Sequence, residues 1–228
     1  MPSLTSDAGA QGPRTHFGAI LAVYLLGLTI GGLYVGMVSP VRTVVQLGFG
    51  IDDATGIWMI NIYTLFYAAL IPIIGKLADR HGRKLVFTIC VAIFAAGSLI
   101  CGLSEHLGGF GSRAIQAIGG GGIMPVATAE FGTAFPPEKR GMALGMAAGI
   151  VGVANVLGAA CGSAIIGLVG TDNWAVMFYL AIPFCVLVIL GAIVFLPTST
   201  VETEGRMDLF GAIFFALFVL MLLLGLKA

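Results

Sequence analysis

The sequence predicts an all-α membrane protein with seven transmembrane helices, and three observations carry that expectation. Apolar residues make up 58% of the 228 residues and charged residues only 10%, whereas a soluble domain is about 45–50% apolar and about a quarter charged. The charges are clustered, which leaves long runs without them, and about 20 apolar residues in helical form span the core of a bilayer. The runs are solid rather than alternating, so they read as helices and not as strands of a barrel.

The elements follow in order. Residues 1–16 are polar and rich in Gly, Ser and Thr. They are expected to form a flexible tail; the apolar run after them is too long for a signal peptide and has no small-residue cleavage site. The first span is expected over 17–38, closed by Ser39-Pro40, and the second over 57–76, closed by a basic stretch. The third covers 85–104, and the fourth covers 109–134 and stops at Pro136-Pro137. The fifth covers 141–169, and the sixth covers 175–196 and stops at Pro197. The first six spans together cover 17–196. A linker over 197–208 leads to a seventh span within 209–228.

Charge placement sets the expected orientation. Lys76, Arg80, Arg83 and Lys84 follow the second span, and Lys139 and Arg140 follow the fourth. Cytoplasmic loops are enriched in Lys and Arg, so these loops, the N-terminus and the linker are expected on the cytoplasmic side of a multi-pass cell-membrane protein. Asp52, Asp53, Glu105 and Asp172 fall in the opposite loops. A net charge of zero argues against a nucleic-acid partner. Cys90, Cys101, Cys161 and Cys185 lie in apolar runs without metal-ligand spacing. They read as small buried hydrophobes, with no metal and no cofactor expected. No enzyme is expected either: His16, His81 and His106 lie near loops, away from Ser163, and Lys227 stands at the end of the last span.

The most specific motif is Gly75-Lys-Leu-Ala-Asp-Arg-His-Gly-Arg-Lys84, between the second and third spans. Gly75 and Gly82 are expected to allow a tight turn, and Asp79 can accept from the positive end of a helix. Arg83 can hold that carboxylate. Glu130, at the same depth on the fourth span, is expected to complete the cluster, because an unpaired carboxylate there would be costly; the alternative is that it reaches the headgroups. The motif resembles the signature loop of the major facilitator superfamily. That resemblance implies a transporter whose charge cluster latches one conformation and releases in the other.

Other segments resemble the same family. Arg113-Ala-Ile-Gln116-Ala-Ile-Gly119 is similar to its Arg-x-x-Gln-Gly-x-Gly motif, with Ala117 at the first Gly. The resemblance implies that Arg113 helps to move protons. A charge inside the membrane costs about 2.5–3.5 kcal/mol on insertion scales and usually faces the protein interior; snorkelling to the interface is the alternative. Gly145, Gly149, Gly152, Gly158 and Gly162 give the fifth span a spacing suited to close helix packing. The stretch resembles the family's antiporter motif, with Leu157-Gly158-Ala159 where that motif carries Gly-Pro. Trp58-x-x-Asn61-x-Tyr63-x-Leu65 and Asp208-Leu-Phe-Gly211-Ala212 resemble segments of the fourteen-helix drug:proton antiporter branch. That branch has an acid in its first helix where this sequence has Gly31.

The resemblance implies one of two six-helix bundles that hold substrate between them. Asn61, Tyr63, Gln116 and Asn155 are expected to face that cavity, whose apolar character suits small lipophilic molecules. The implied function is proton-coupled, multidrug-efflux-like transport by alternating access. The implied partners are membrane lipid, a small-molecule substrate, protons and a second bundle, either another copy or a separate C-terminal half. The alternative is a truncated, non-transporting half or a structural or regulatory membrane subunit.

Overall fold

A computed structural model describes residues 17–50, 52–103 and 109–198, together with residues 211, 214, 215, 217, 218, 221 and 225 of the last segment. The expected tail, most of the linker and the Asp208 motif apart from Gly211 lie outside the described residues. Seven α-helices and one 3₁₀ turn are defined: α1 (Phe17–Phe49), α2 (Asp53–His81), α3 (Arg83–Leu103), α4 (Gly109–Thr133), α5 (Pro137–Val169), the turn Thr171–Asn173, α6 (Val176–Tyr179) and α7 (Ala181–Phe195). Among the described residues there is no strand. The described residues of the last segment are helical.

Among the described residues, five helical stretches are long and apolar enough to cross a membrane: Phe17–Pro40, Gly56–His81, Arg83–Leu103, Pro137–Val169 and Val176–Phe195. The last of these joins α6 to α7, which are separated only by Leu180. Pro183 has no N–H to offer the carbonyl four residues back, which accounts for the break. Helix α4 is 25 residues long, about 37 Å at 1.5 Å per residue. Its length suffices to span, but it carries Arg113, Gln116, Glu130 and a run of glycines over 119–122, so it falls short in apolarity. It can do so because it packs inside the bundle, against α3 and α2, where Gly120, Gly121 and Gly122 are buried.

The first span does not end at Pro40. Helix α1 continues through it to Phe49. Proline is tolerated within transmembrane helices because neighbouring groups satisfy the carbonyl it frees. Here Pro40 packs on Gly162 of α5, where an added Cβ would meet its ring at 3.0 Å.

The core is built on two close pairings, α1 with α5 and α3 with α4. Glycines permit both. A Cβ on Gly32, Gly36 or Gly158 would run into the facing backbone of α5 or α1, and one on Gly97 or Gly119 into that of α4 or α3. An aromatic seam fills the space between. The ring centroid of Tyr24 lies 4.7 Å from that of Phe87 and 5.6 Å from that of Phe131, and Phe131 lies 5.2 Å from Phe135, all edge to face. The Tyr34 hydroxyl donates to the Met177 carbonyl at 2.7 Å and ties α1 to α6. Three cysteines are buried as expected, but Cys161 is exposed, because it lies on α5 beside an apolar groove shared with α1 and α7.

Candidate functional site

Two polar clusters interrupt this apolar bundle, one at each end of α4. The first sits where α2 hands over to α3. A single residue makes that turn: Gly82, at φ 90°, donates its N–H to the Ala78 carbonyl at 3.0 Å and accepts at its own carbonyl from Val86 at 3.2 Å. Only glycine takes up that backbone conformation without strain. Gly75, by contrast, stands inside α2 with nothing within 4 Å of an added Cβ and makes no turn; the helix simply runs on past it.

The handover places Arg83 at the first position of α3 with its guanidinium turned inward. Arg83 Nη1 donates to Glu130 Oε2 at 3.1 Å and Nη2 to Asp79 Oδ1 at 3.4 Å. Arg83 and Glu130 are buried, whereas half of the Asp79 side chain is exposed. The rigid fork of a guanidinium suits two acceptors at once, and a buried carboxylate needs such a partner. Arg83 also donates to the hydroxyl of Thr133. Nothing in the sequence marks Thr133 except its place one turn beyond Glu130. Arg140 adds a second tie, donating to the Phe135 carbonyl at 2.9 Å and the Thr133 carbonyl at 3.3 Å. A basic side chain there satisfies carbonyls that a helix leaves open at its C-terminus.

The second cluster surrounds Arg113, one turn into α4. The residue is 2% exposed, so it does not snorkel. It donates to the Gln116 side-chain oxygen. Gln116 in turn donates to Ser98 Oγ at 2.7 Å, and Ser98 donates to the Phe94 carbonyl at 2.8 Å. The guanidinium carbon also lies 4.5 Å from the centre of the Tyr63 ring, within reach of a cation–π attraction. Gln116 is therefore not a cavity residue. It is wholly buried between α4 and α3, because Arg113 requires an acceptor and α3 supplies only a hydroxyl and the backbone. Ser98 was the missing partner, and its position beside Gly97, which α4 approaches closely, is the signal that could have found it.

Between α1, α2, α4 and α5 lies a half-open cavity of about 230 Å³. Tyr63, Thr64 and Tyr67 form one wall, Gly120 and Met124 a second, and Gly31 and Asn155 face them. Tyr63 and Tyr67 stack with ring centroids 5.9 Å apart. Tyr63 and Asn155 are thus among the residues that line this cavity. Asn61, on α2, is partly exposed and is not among its lining residues. The glycines of α5 also divide. Gly158 and Gly162 meet α1 closely, but Gly145, Gly149 and Gly152 are exposed, with nothing within 4 Å of an added Cβ. They pack on no described helix, because they lie on a face of α5 that α1 does not cover.

Known proteins match both sequence and fold. The uncharacterized MFS-type transporter YfiU of Bacillus subtilis (strain 168) is 34% identical over 206 residues, which is 90% of this chain and 39% of that protein. Multidrug resistance protein 3 of the same organism is 33% identical over 75% of this chain and 33% of its own length. The chain thus spans less than half the length of the curated relatives it matches. A bacterial homologue of the human lysosomal transporter Spinster, in an inward-facing and occupied conformation, shares the fold with a TM-score of 0.70 at 22% identity. The match covers 85% of this chain and 48% of that one. The profile of the Major Facilitator Superfamily matches residues 20–226, and the chain belongs to that superfamily.

Proposed function

We propose that this chain supplies one of the two bundles of a proton-coupled, multidrug-efflux-like transporter of the cell membrane, with its N-terminus in the cytoplasm. One observation carries the reading: a largely apolar cavity opens on the side of α1, α2, α4 and α5. It is lined by tyrosines rather than charges, which suits small lipophilic molecules. The similarity to Multidrug resistance protein 3 points to the same class of substrate. A second six-helix bundle closes the cavity from the far side, and the two rock around it. The second bundle is either a further part of the polypeptide, a separate chain or another copy.

In this reading the Asp79–Arg83–Glu130 cluster is the latch. It ties α2, α3 and α4 together in one conformation and loosens in the other. Arg113 couples the cycle to protons, because it is a fixed charge within the membrane whose acceptor among the described residues is the neutral amide of Gln116. Uptake of a lipophilic dye into inside-out vesicles, with the second bundle supplied, tests the assignment. Uptake should require an imposed pH gradient. Arg113→Ala should abolish accumulation against a gradient while leaving insertion intact, and Arg113→Lys should restore little, since it keeps the charge but loses the planar fork. Normal accumulation by Arg113→Ala would remove the arginine from the coupling.

A further inference from the structure

We infer that the cavity selects its occupants by charge: planar aromatic molecules that are neutral or anionic bind, and permanent cations of the same shape are rejected. This rests on reading the cavity as the substrate site. Four features of its wall lead there.

The half-buried ring of Tyr67 gives the wall a flat aromatic surface, with the buried ring of Tyr63 against it. Tyr63 and Tyr67 stack with their planes 27° apart, and such faces favour offset stacking with another ring. A cation is fixed behind that surface. The Arg113 guanidinium lies 4.5 Å from the centre of the Tyr63 ring. Its side-chain partner is the neutral amide of Gln116, and among the described residues no carboxylate pairs with it. Among the described residues, nothing neutralises its charge before it reaches the cavity.

The Tyr63 hydroxyl is also unspent. The residue is 5% exposed, yet its hydroxyl makes no hydrogen bond among the described residues. It stands against Gly120, which lines the same cavity. A buried hydroxyl without a partner is costly. The hydroxyl is closed off from the cavity in this conformation; a small turn of Tyr63 toward an occupant's carbonyl, phenolate or carboxylate oxygen would satisfy it, and the cation over the ring strengthens the phenol as a donor. Finally, the cavity holds no counter-charge for a cation. No acid lines it among the described residues. At Gly31, on its rim, an added Cβ would meet nothing within 4 Å, so there is room for an acid that the sequence does not supply.

A charge held in the cavity beside the Tyr63–Tyr67 pair would sit about 10 Å from the guanidinium. At an effective dielectric near 20 that separation changes affinity by roughly tenfold or more. The test uses the full chain in phosphatidylcholine nanodiscs and three two-ring probes of similar shape: 2-naphthoate, 2-naphthol and N-methylquinolinium. Equilibrium dialysis against empty nanodiscs measures binding. We expect 2-naphthoate and 2-naphthol to bind about tenfold or more tightly than N-methylquinolinium. Gly31→Asp should bring the cation level with the anion or ahead of it, and Arg113→Gln should erase the preference for the anion. Equal or tighter binding of N-methylquinolinium by the unsubstituted chain would overturn charge selection and leave the cavity as a binding site. Binding of none of the three would overturn the cavity reading and the inference with it. If Arg113→Gln fails to fold, Gly31→Asp decides alone, and an unchanged ranking in that variant overturns the inference.

Discussion

At the scale of single residues, burial decides which of the polar contacts matter. Glu130 and Arg83 have left water together, so removing one strands the other. Glu130→Ala should destabilise the bundle by about 3–5 kcal/mol. Asp79 is half exposed, and Asp79→Ala should cost under about 1 kcal/mol. Thermal unfolding of the two variants in the same detergent checks the ranking, and equal losses would contradict it. Tyr34→Phe removes one buried hydrogen bond, to the Met177 carbonyl, and should cost about 1 kcal/mol in the same measurement. The sequence placed these charges well because Gly82 fixes where α2 stops, and Glu130 sits at matching depth before Pro136-Pro137. It misplaced Gln116 because a polar residue inside a span has two possible duties. It can face a cavity, or it can satisfy another buried polar group. Arg113, one turn away, imposes the second.

At the scale of helices, the spans were legible because each apolar run is bounded by charge or proline. Two features were not. Pro40 reads as a stop in water-soluble helices, yet α1 runs through it because α5 packs against the ring. The five glycines of α5 all read as close-packing positions, although only Gly158 and Gly162 face α1. The matching pair on α1, Gly32 and Gly36, has the same four-residue spacing and would have identified the partner helix. Gly158→Ala should therefore cost about 1–3 kcal/mol through overpacking against the Leu33 backbone. Gly149→Ala should leave the bundle as stable as before, or more stable by about 0.5–1 kcal/mol, since alanine is the better helix former. Unfolding of the two variants in micelles distinguishes them, and the opposite ranking would mean that α5 packs through its other face.

At the scale of the whole molecule, the positive residues give a sidedness that can be checked directly. Cysteines introduced at Arg80 and Lys139 should be labelled only from the cytoplasm, and one at Asn173 only from outside. Arg42, on α1 beyond Pro40, runs against that bias, so labelling from the opposite sides would reverse the topology outright. The outer faces of the bundle are apolar, with Leu168 and Val194 largely exposed. On the proposed function, the open side of the cavity and the uncovered glycines of α5 form the face that a second bundle meets. Alternating access needs that second bundle, so the central claim is that this chain provides half of a pathway. The most direct measurement is pH-gradient-driven uptake of 2-naphthol into vesicles holding this chain at a measured oligomeric state, with and without a second bundle. The account predicts no uptake by the monomer and uptake once a second copy or a C-terminal bundle is joined to it. Uptake by a demonstrated monomer would contradict it.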